Sequence, residues 1–291
     1  MASPAPGLRC RLIDQADIGT VASLLARGFL VHDRGFWLDA FAHLSRHEPP
    51  PGLPKYGYLL ESGGVVVGAI LLICSTVKAG DAIIPRCNLS SWYVEPAFRA
   101  YAPMLIAHAL RHKGATYLNV SPAPHTLPII EAQGFSRYCD GIFVAAPMHK
   151  DLFGGGPNVA FLKADQSPNA SFDRRDQQLL RQHAAHGCIS LWCVADDRAY
   201  PFVFRPRLVK GAIPCAQLIY CADLGDFVRF AGPIGRMLAR RGLPLAIIDA
   251  NGPIPGLFGW FRRGSMPKYF KGPQRPRLGD LAYTENAVMG V

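Results

Sequence analysis

Residues 92–105 read Trp-Tyr-Val-Glu-Pro-Ala-Phe-Arg-Ala-Tyr-Ala-Pro-Met-Leu and combine the end of an apolar strand with the start of a helix. The strand ends at Val94, a short loop follows, and Pro103 opens the helix, where its missing N–H would have no intrahelical partner. A loop that feeds a helix N-terminus presents free backbone N–H groups and the positive end of the helix dipole. The stretch therefore predicts a binding site for a phosphate or pyrophosphate.

Strand and helix patterns alternate on both sides of this stretch. Apolar residues from Ile18 to Phe29 recur every three or four positions and mark one face of a helix that begins near Asp14. Ser62-Gly63-Gly64 supplies the positive φ values of a tight hairpin turn. The predicted elements of the first half follow the order β-α-α-β-β-β-α-β-α-β-β, at residues 8–13, 14–29, 37–44, 56–61, 65–75, 86–94, 103–113, 116–120 and 124–132, with two final strands between 135 and 147.

Glycine and proline landmarks of the second half follow those of the first at an offset of 128 to 131 residues. Each landmark lies at the same point of a strand–loop–helix–strand series, which favours an internal duplication. The corresponding pairs are Ile84-Pro85 with Ile213-Pro214, Ala102-Pro103 with Gly232-Pro233, Lys113-Gly114 with Arg241-Gly242, and Ser121-Pro122 with Gly252-Pro253. A helix at 173–185 opens the second series, and Gly154-Gly155-Gly156-Pro157 marks a linker between the halves.

Composition limits the class of protein. The 291 residues are 49% hydrophobic and 18% charged, which provides enough apolar material for two folded domains. The longest apolar run, at residues 65–74, is about half the length that a membrane-spanning helix needs. The N-terminal residues lack the basic and apolar regions of a secretory signal. We therefore expect a soluble, cytoplasmic protein.

The eight cysteines show no CxxC spacing, and no histidine pair follows them at zinc-finger distance. Most of them lie in apolar stretches, where a free cysteine behaves as a small hydrophobic residue. We expect buried thiols and no metal.

The formal net charge of +10 is concentrated in the second half, because residues 166–291 carry +8. A basic half favours an anionic ligand, such as a phosphorylated cofactor, an acidic protein or nucleic acid; a merely solubilising surface is the alternative. Arg262 and Arg263 stand among aromatic residues, a mixture that can bind single-stranded nucleic acid. The same residues also fit an edge strand with surface arginines, and we expect no nucleic-acid partner.

Residues 92–105 resemble the cofactor loop of the GNAT acyltransferase superfamily, whose pattern is Val-x-Pro-x-x-Arg-Gly-x-Gly-x-Gly/Ala. Val94, Pro96 and Arg99 match this pattern. Phe98 takes the aromatic place that is usual in the loop.

The order of elements and the turn at Gln133-Gly134-Phe135 are similar to those of the same family. The resemblance covers residues 8–147 and extends more weakly, through the repeat, over 187–291. It implies an α/β (α+β) fold of two GNAT-like domains, each a mixed, mostly antiparallel sheet flanked by helices. The implied division is an N-terminal domain at 1–155, a linker at 156–170 and a degenerate C-terminal domain at 171–291.

In this family the loop holds the pyrophosphate of coenzyme A, so the resemblance implies acetyl-CoA or another acyl-CoA as substrate. It implies transfer of the acyl group to an amine of a small molecule or a peptide, without a metal. The backbone amide of Val94 would polarise the thioester carbonyl. The implied cofactor-binding residues are Tyr93, Val94, Arg99, Ala100, Tyr101, Ala102, Met104 and Asn119. The two halves meet either within one chain or across a homodimer.

The chain departs from the family pattern at three kinds of position. Ala100, Ala102 and Met104 replace the loop glycines, and Ile130 replaces the tyrosine that often protonates the leaving thiolate. The strand at residues 86–94 lacks the glutamate that frequently acts as the base. The resemblance therefore assigns no catalytic residue. These departures favour an alternative, a GNAT-like binding or scaffold protein without catalysis.

The resemblance also implies a cleft where two central strands separate, and the polar residues near it each have two interpretations. His125 could act as a general acid or base, because histidine titrates near neutral pH, or could cap a helix. Asn119 and Ser121 could bond the amides of a pantetheine arm or reflect ordinary strand polarity. Asp249 and Asn251 occupy the matching place in the second half, as site residues at a strand's carboxyl end or as caps of the following turn.

The second copy keeps two glycines, Gly232 and Gly235, although not at the family's spacing. Its helix carries Arg236, Arg240 and Arg241, which either meet phosphates or oppose the dipole near the helix C-terminus. Either half is therefore a candidate for the cofactor site.

Overall fold

The computed structural model describes residues 7–79, 82–149, 157–209 and 211–290, whose strands form a continuous sheet with helices on both faces. The strands are β1 (Leu8–Leu12), β2 (Gly57–Ser62), β3 (Val65–Ala79), β4 (Ala82–Val94), β5 (Thr116–Asn119), β6 (Ser136–Ala145), β7 (Ala160–Lys163), β8 (Ile189–Ala195), β9 (Arg198–Val209), β10 (Ile213–Cys221), β11 (Leu245–Ala250) and β12 (Gly259–Lys271). The α-helices are α1 (Ile18–Gly28), α2 (Arg34–Ser45), α3 (Ala102–Ala109), α4 (Leu127–Ala132), α5 (Arg174–Ala185), α6 (Leu224–Arg229), α7 (Ala231–Ala239) and α8 (Glu285–Val288). Short 3₁₀ turns precede three of them, at Gln15–Asp17, Pro96–Tyr101 and Pro124–Thr126.

Local sequence signals form the first elements as predicted. Asp14 accepts hydrogen bonds from the backbone N–H groups of Ala16 and Asp17, and Asp17 accepts one from the backbone of Asp14. These bonds form a capping box before α1. Gly63 and Gly64 turn the β2–β3 hairpin with φ values of 56° and 84°. The predicted N-cap and hairpin are confirmed.

The strand order of the sheet interleaves the two halves of the chain. It runs β1-β2-β3-β4-β5-β12-β6-β11-β10-β9-β8-β7, so β12 lies between β5 and β6, and β6 lies between β12 and β11. Tyr269 of β12 pairs with Asn119 of β5, and Ile248 of β11 pairs with Phe143 of β6. Each half therefore supplies one strand to the other half's part of the sheet, an arrangement that we call the strand exchange.

The structure differs from three local expectations. Residues 135–147 contain one strand, β6, where two were predicted, because β12 from the far end of the chain fills the place beside it. The expected edge strand around Arg262 and Arg263 is a central strand for the same reason. β7 lies inside the expected linker at 156–170, because its residues pair with β8. The expected linker glycines at 154–156 lie outside the described residues.

Two parallel strand pairs of the described sheet open into clefts. β4 and β5 pair up to Asn88 and then separate, and β10 and β11 pair up to Gln217 and then separate. A bulge follows at Ser91 in β4 and at Ile219 in β10. These equivalent positions lie 129 and 128 residues apart, within the offset of the sequence landmarks. We name the opening between β4 and β5 the first cleft, and the opening between β10 and β11 the second cleft.

Helices bury different groups of side chains on the two faces of the sheet. On the front face, α1, α2 and α5 pack with the C-terminal residues around one core that includes Trp37, Trp192 and Val288. On the back face, α3 and α4 cover the first half around Leu105, and α6 and α7 cover the second half around Phe227. The front-face core therefore joins the two halves.

The C-terminal segment, residues 279–290, crosses the front face from β10 to β4. At its start, Asp280 forms a β-bridge with Tyr220 of β10. The Arg86 guanidinium of β4 donates to the Asp280 carboxylate at 2.9 and 3.3 Å and to the Ala282 carbonyl at 2.9 Å. Near β4, the Met289 sulfur lies 3.9 Å from the Ser90 hydroxyl. The segment therefore contacts both halves of the sheet.

Four histidines and Tyr283 lie at the front-face contact between the halves. His43 Nδ1 lies 3.3 Å from His186 Nδ1, and the Tyr283 backbone N–H donates to His183 Nε2 at 3.1 Å. The His47 ring lies 5.3 Å from the Tyr283 ring. Burial lowers the pKa of His183 to about 4 and that of His186 to about 3. The contact therefore favours neutral imidazoles.

Within the ranges that the structure describes, every helix is too short or too polar to cross a membrane. The same ranges contain no group of three or more histidine, cysteine or acidic side chains arranged to hold a metal ion. The eight cysteines are free thiols, and all except Cys10 are buried. The prediction of buried thiols is confirmed for those seven.

Candidate functional site: two clefts in one sheet

The first cleft exposes one edge of β4. Beyond Asn88 the ladder of β4 continues on β3 alone, so the opposite edge of residues 89–94 carries no partner strand in the described chain. Such an edge offers backbone N–H and C=O groups to an extended ligand. The bulge at Ser91 lies within this open stretch, at the kind of position where bulges re-aim a strand near a site.

The turn after β4 lies at the mouth of the first cleft. It is the 3₁₀ turn Pro96–Tyr101, and α3 begins directly after it at Ala102. The Phe98 N–H donates to the Glu95 carbonyl at 2.8 Å, and the Ala102 N–H donates to the Arg99 carbonyl, so these amides are already engaged. The Arg99 side chain is exposed and forms no ion pair with any residue that the structure describes. Its guanidinium is therefore available to an anion.

A buried carboxylate lies where β4 and β5 separate. Glu285, at the start of α8, accepts hydrogen bonds from Asn88 Nδ2 and Ser121 Oγ. Burial raises the pKa of Glu285, and the two hydrogen bonds offset part of that rise. Glu285 was not among the residues predicted from the sequence. The signal that could have found it is a charged residue within the otherwise largely apolar C-terminal run.

The C-terminal segment fills the second cleft. The Cys221 N–H donates to the Gly279 carbonyl at 3.0 Å, and the Leu281 N–H donates to the Ile219 carbonyl at 2.7 Å. A β-bridge forms between these two bonds. The β10 edge that corresponds to the open β4 edge is therefore already paired.

The helix starts beside the second cleft do not suit a phosphate. Asp223 caps α6 by accepting from the Gly225 N–H at 2.6 Å, and Asp226 lies in the first turn. The first residues of α7 are buried, and a Cβ added at Gly235 would lie 2.2 Å from the Met148 backbone nitrogen. Carboxylates repel a phosphate, and the covered start of α7 has no room for one. Gly235 therefore serves close packing.

Comparison with known proteins identifies the architecture. No protein-family model matches the chain, and no curated protein matches it. The chain is similar to the structure of a GCN5-related N-acetyltransferase from Anabaena variabilis ATCC 29413, with a TM-score of 0.60 and 12% identity, over 91% of this chain and 72% of that one. It is also similar to a protein of Pyrococcus horikoshii assigned to the acetyltransferases, with a TM-score of 0.59 and 14% identity, over 95% and 93% of the two chains. A GCN5-related N-acetyltransferase from Kribbella flavida matches with a TM-score of 0.55 and 16% identity, over 90% and 70%. The chain has the GNAT fold.

In this GNAT fold the predicted cofactor-binding residues other than Met104 lie at the ends of β4 and β5, in the turn after β4 and at the start of α3. Tyr93 and Val94 end β4, and Asn119 ends β5 on the opposite wall. Residues 99–102 lie in the turn and at the start of α3. The Met104 side chain packs against the back-face core of the first half. It therefore adds apolar contact to α3 at a position where the family loop has glycine.

Other residues singled out in the sequence take positions apart from the open β4 edge. His125 is exposed. Ile130 is buried in the back-face core, so the position at which the family often has a tyrosine carries no hydroxyl in this chain. The Asp249 carboxylate lies 2.7 Å from the Lys268 ammonium, and both groups are buried. Asn251 accepts from the backbone of β6 at 2.7 Å and donates to it at 3.1 Å. Asp249 and Asn251 therefore hold the centre of the sheet together.

The three arginines that the sequence suggested as phosphate ligands in the second half lie along and after α7. Arg236 is in its last turn, and Arg240 and Arg241 follow its end. The Arg241 guanidinium donates to the Met237 carbonyl at 3.3 Å. This contact fits the alternative in which a cation opposes the dipole at the helix C-terminus.

Substituting Gly235 by Ala is expected to destabilise the protein and leave the first cleft intact. The new Cβ would overlap the Met148 backbone, so α7 must move away from residues 147–148. Overpacking of this kind costs about 1–3 kcal/mol. Urea unfolding measures the change, and Gly252→Ala is the control, because a Cβ at Gly252 meets nothing within 4 Å. An unchanged unfolding midpoint for Gly235→Ala would contradict the packing role.

Proposed function

We propose that the protein is an acyl-CoA-dependent N-acyltransferase that binds its acyl-CoA in the first cleft. The supporting observation is the contrast between the clefts. The β4 edge is open beside the cation of Arg99, whereas the β10 edge is paired with residues 279–281. The acyl group is acetyl or another acyl chain, and the acceptor is an amine of a small molecule or a peptide. The names of the similar structures from Anabaena variabilis and Kribbella flavida agree with this chemistry.

Each part of the first cleft has a role in this proposal. The amides of the pantetheine arm pair with the open edge of residues 90–94, as an added strand would. Arg99 attracts the pyrophosphate in place of the turn amides that are already engaged. The backbone amide of Val94 polarises the thioester carbonyl. Holding the thioester beside the amine supplies a large part of the acceleration.

We further propose that the chain is a pair of GNAT-like units, at residues 1–155 and 171–291, joined by residues 156–170, of which Ala160–Lys163 add β7 to the sheet beside β8. The two clefts, their bulges and their common offset support this division. The first unit binds the acyl-CoA. The second unit supplies β12 and the C-terminal segment, and its own cleft holds part of that segment.

Calorimetric titration with acetyl-CoA is expected to show one binding site per chain, because the second cleft is filled. Arg99→Ala is expected to raise Kd about tenfold, since a hydrogen bond to a charged group contributes about 1.5 kcal/mol or more. The matched control is Arg229→Ala in the second half. Arg229 lies 130 residues further along the chain and forms an exposed ion pair with Asp196 at 3.1 Å. We expect this control to leave Kd unchanged.

Acetyl-pantetheine, which lacks the pyrophosphate, tests the same contact from the ligand side. It should bind more weakly than acetyl-CoA to the wild-type protein and equally to Arg99→Ala. A rise in Kd for Arg229→Ala but not for Arg99→Ala would move the site to the second half. No heat and no thermal stabilisation with acetyl-CoA or a longer acyl-CoA would reject the proposal.

Acyl transfer is followed as release of the CoA thiol with three amines. They are benzylamine, spermidine and a peptide with a free N-terminal alanine. We expect release that depends on the amine and that falls about tenfold when Arg99→Ala is assayed at limiting acetyl-CoA.

The alternative function is that of a binding or scaffold protein without catalysis. The observations in its favour are the engaged amides of Phe98 and Ala102 and the buried Ile130. Such a protein could bind a ligand in a cavity of about 710 Å³. This cavity lies beside the C-terminal segment, between α5 and the ends of β3 and β10. Binding of acetyl-CoA without thiol release in the presence of any of the three amines would support this alternative.

A further inference from the structure

We propose that Glu285 accepts the proton that the acceptor amine loses, through the hydroxyl of Ser121. The inference rests on the proposed acyl transfer in the first cleft. It assigns the proton acceptor to the C-terminal segment, outside the strands that form the cleft.

The geometry places Glu285 between the two walls of the first cleft. Asn88 is the last residue of β4 that pairs with β5, and its amide donates to one carboxylate oxygen. Ser121 lies just beyond the end of β5 and donates to the other oxygen. Glu285 is 1% exposed, whereas Ser121 is exposed. Ser121 therefore connects the buried carboxylate to the mouth of the cleft.

The electrostatic surroundings leave the Glu285 carboxylate without a cation in contact. In the part of the chain that the structure describes, no basic group forms an ion pair with it at 4.0 Å or less. The charge of Lys268 in β12 lowers the pKa of Glu285 from a distance, but the Lys268 ammonium is paired with Asp249 at 2.7 Å. Arg205 of β9 reaches α8 only at the Ala287 carbonyl, at 3.3 Å. A buried carboxylate without an adjacent cation binds a proton more readily than an exposed one, which suits a general base.

The proton steps balance without any further group. The amine arrives as an ammonium ion and donates a proton to the Ser121 oxygen, while Ser121 passes its own hydroxyl proton to the Glu285 carboxylate. The neutral nitrogen then forms a bond to the thioester carbon, and the carbon–sulfur bond breaks. One of the two protons left on the nitrogen goes to the leaving sulfur, which gives an amide and the CoA thiol. The proton on Glu285 returns to water through Ser121, so one proton is released per turnover.

These proton transfers are also compatible with an isoleucine at position 130, where the family often has a tyrosine. The leaving sulfur takes its proton from the attacking nitrogen, so a tyrosine at that place is not needed.

The substitution Glu285→Gln tests the inference while preserving the packing. Asn88 Oδ1 has no hydrogen-bond partner among the described residues, so a flipped Asn88 amide can accept from the new Gln side chain. We expect kcat to fall about 10²- to 10⁴-fold with the fastest of the three amines, the range for loss of a general base. Kd for acetyl-CoA and the melting temperature should stay as in the wild type, or the melting temperature should rise because a buried charge is removed. The matched control is Glu48→Gln, an exposed glutamate paired with Lys55.

The pH profile separates a proton acceptor from a structural residue. Wild-type kcat should level off once Glu285 is ionised, whereas kcat of Glu285→Gln should keep rising with pH, because only the free amine reacts. Ser121→Ala should lower kcat in the same direction, and Ser121→Thr, which keeps the hydroxyl, should restore it.

Each other outcome has a defined meaning. If Glu285→Gln keeps the wild-type kcat and pH profile, the relay is overturned and the acyl transfer stands. If Glu285→Gln loses acetyl-CoA binding and melts at a much lower temperature, the residue is structural and the relay is also overturned. If the wild-type protein acetylates none of the three amines, the proposed function fails, and the relay fails with it.

Discussion

Replacing Asp280 by Asn is expected to lower the free energy of unfolding by about 3–5 kcal/mol, the cost of removing one partner from a buried ion pair. The side chains of Arg86 and Asp280 are 6% and 7% exposed. Burial alone would raise the pKa of Asp280, but the charges of Arg86 and Arg277 lower it, so the carboxylate is ionised at neutral pH. Asparagine keeps the shape and removes the charge. It would leave the Arg86 guanidinium buried without its counter-charge, with one amide oxygen and the Ala282 carbonyl as acceptors.

Urea unfolding at neutral pH measures this loss. The control is Asp196→Asn, which removes a carboxylate from the exposed pair with Arg229 and should cost less than about 1 kcal/mol. Replacing the buried pair together, Arg86→Met with Asp280→Leu, should recover most of the lost stability, because no charge is then left buried. A loss for Asp280→Asn no larger than that for Asp196→Asn would contradict the role of the buried pair.

Lowering the pH from 7.5 to 5 is expected to cost the folded state about 2 kcal/mol through His183 alone. Burial lowers the pKa of His183 to about 4, whereas an unfolded histidine titrates near 6.5. The unfolded chain therefore takes up the proton first. The contribution to stability is complete above pH 6.5 and is lost as the pH falls toward 4. Protonation would also remove the lone pair with which His183 Nε2 accepts the Tyr283 N–H.

The variant His183→Asn isolates this effect in urea unfolding at several pH values. The pKa values of Asp176, Asp249 and Glu285 are raised, so these carboxyls bind protons in the folded state and act with the opposite sign. The difference in stability between wild type and His183→Asn should shrink by about 2 kcal/mol between pH 7.5 and 5. The control is His125→Asn, an exposed histidine that is replaced in the same way and measured at the same pH values. A pH-independent difference for His183→Asn would mean that His183 titrates alike in both states.

The sequence predicted the elements that neighbouring residues determine. The Asp14 cap, the hairpin at 62–64 and the helix at 173–185 follow from capping, positive φ and helical period, which act over a few residues. Val94 and Arg99 led to the correct fold through their resemblance to a known loop, and the structural similarity confirms that fold. These signals are local, so a single sequence is enough to read them.

The contents of the two clefts could not be predicted in the same way. The contact between Asn88 and Glu285 joins residues 197 positions apart, and no local period encodes it. Gly235 resembled a loop glycine in the sequence, but its requirement comes from the backbone of Met148. A glycine can be required for a tight turn, for the close approach of a phosphate or for close packing. The residues that surround it in the folded structure determine which of these reasons applies.

The strand exchange has a consequence for the growing chain on the ribosome. β5 ends at Asn119 and its neighbour β12 begins at Gly259, so about 140 residues must be translated before the two can pair. At typical elongation rates this takes roughly 7–30 s. During that time β5 and β6 present unpaired backbone to the cell, and a second nascent chain or a chaperone can bind there. We therefore expect the yield of native protein to respond to elongation speed and chaperone supply.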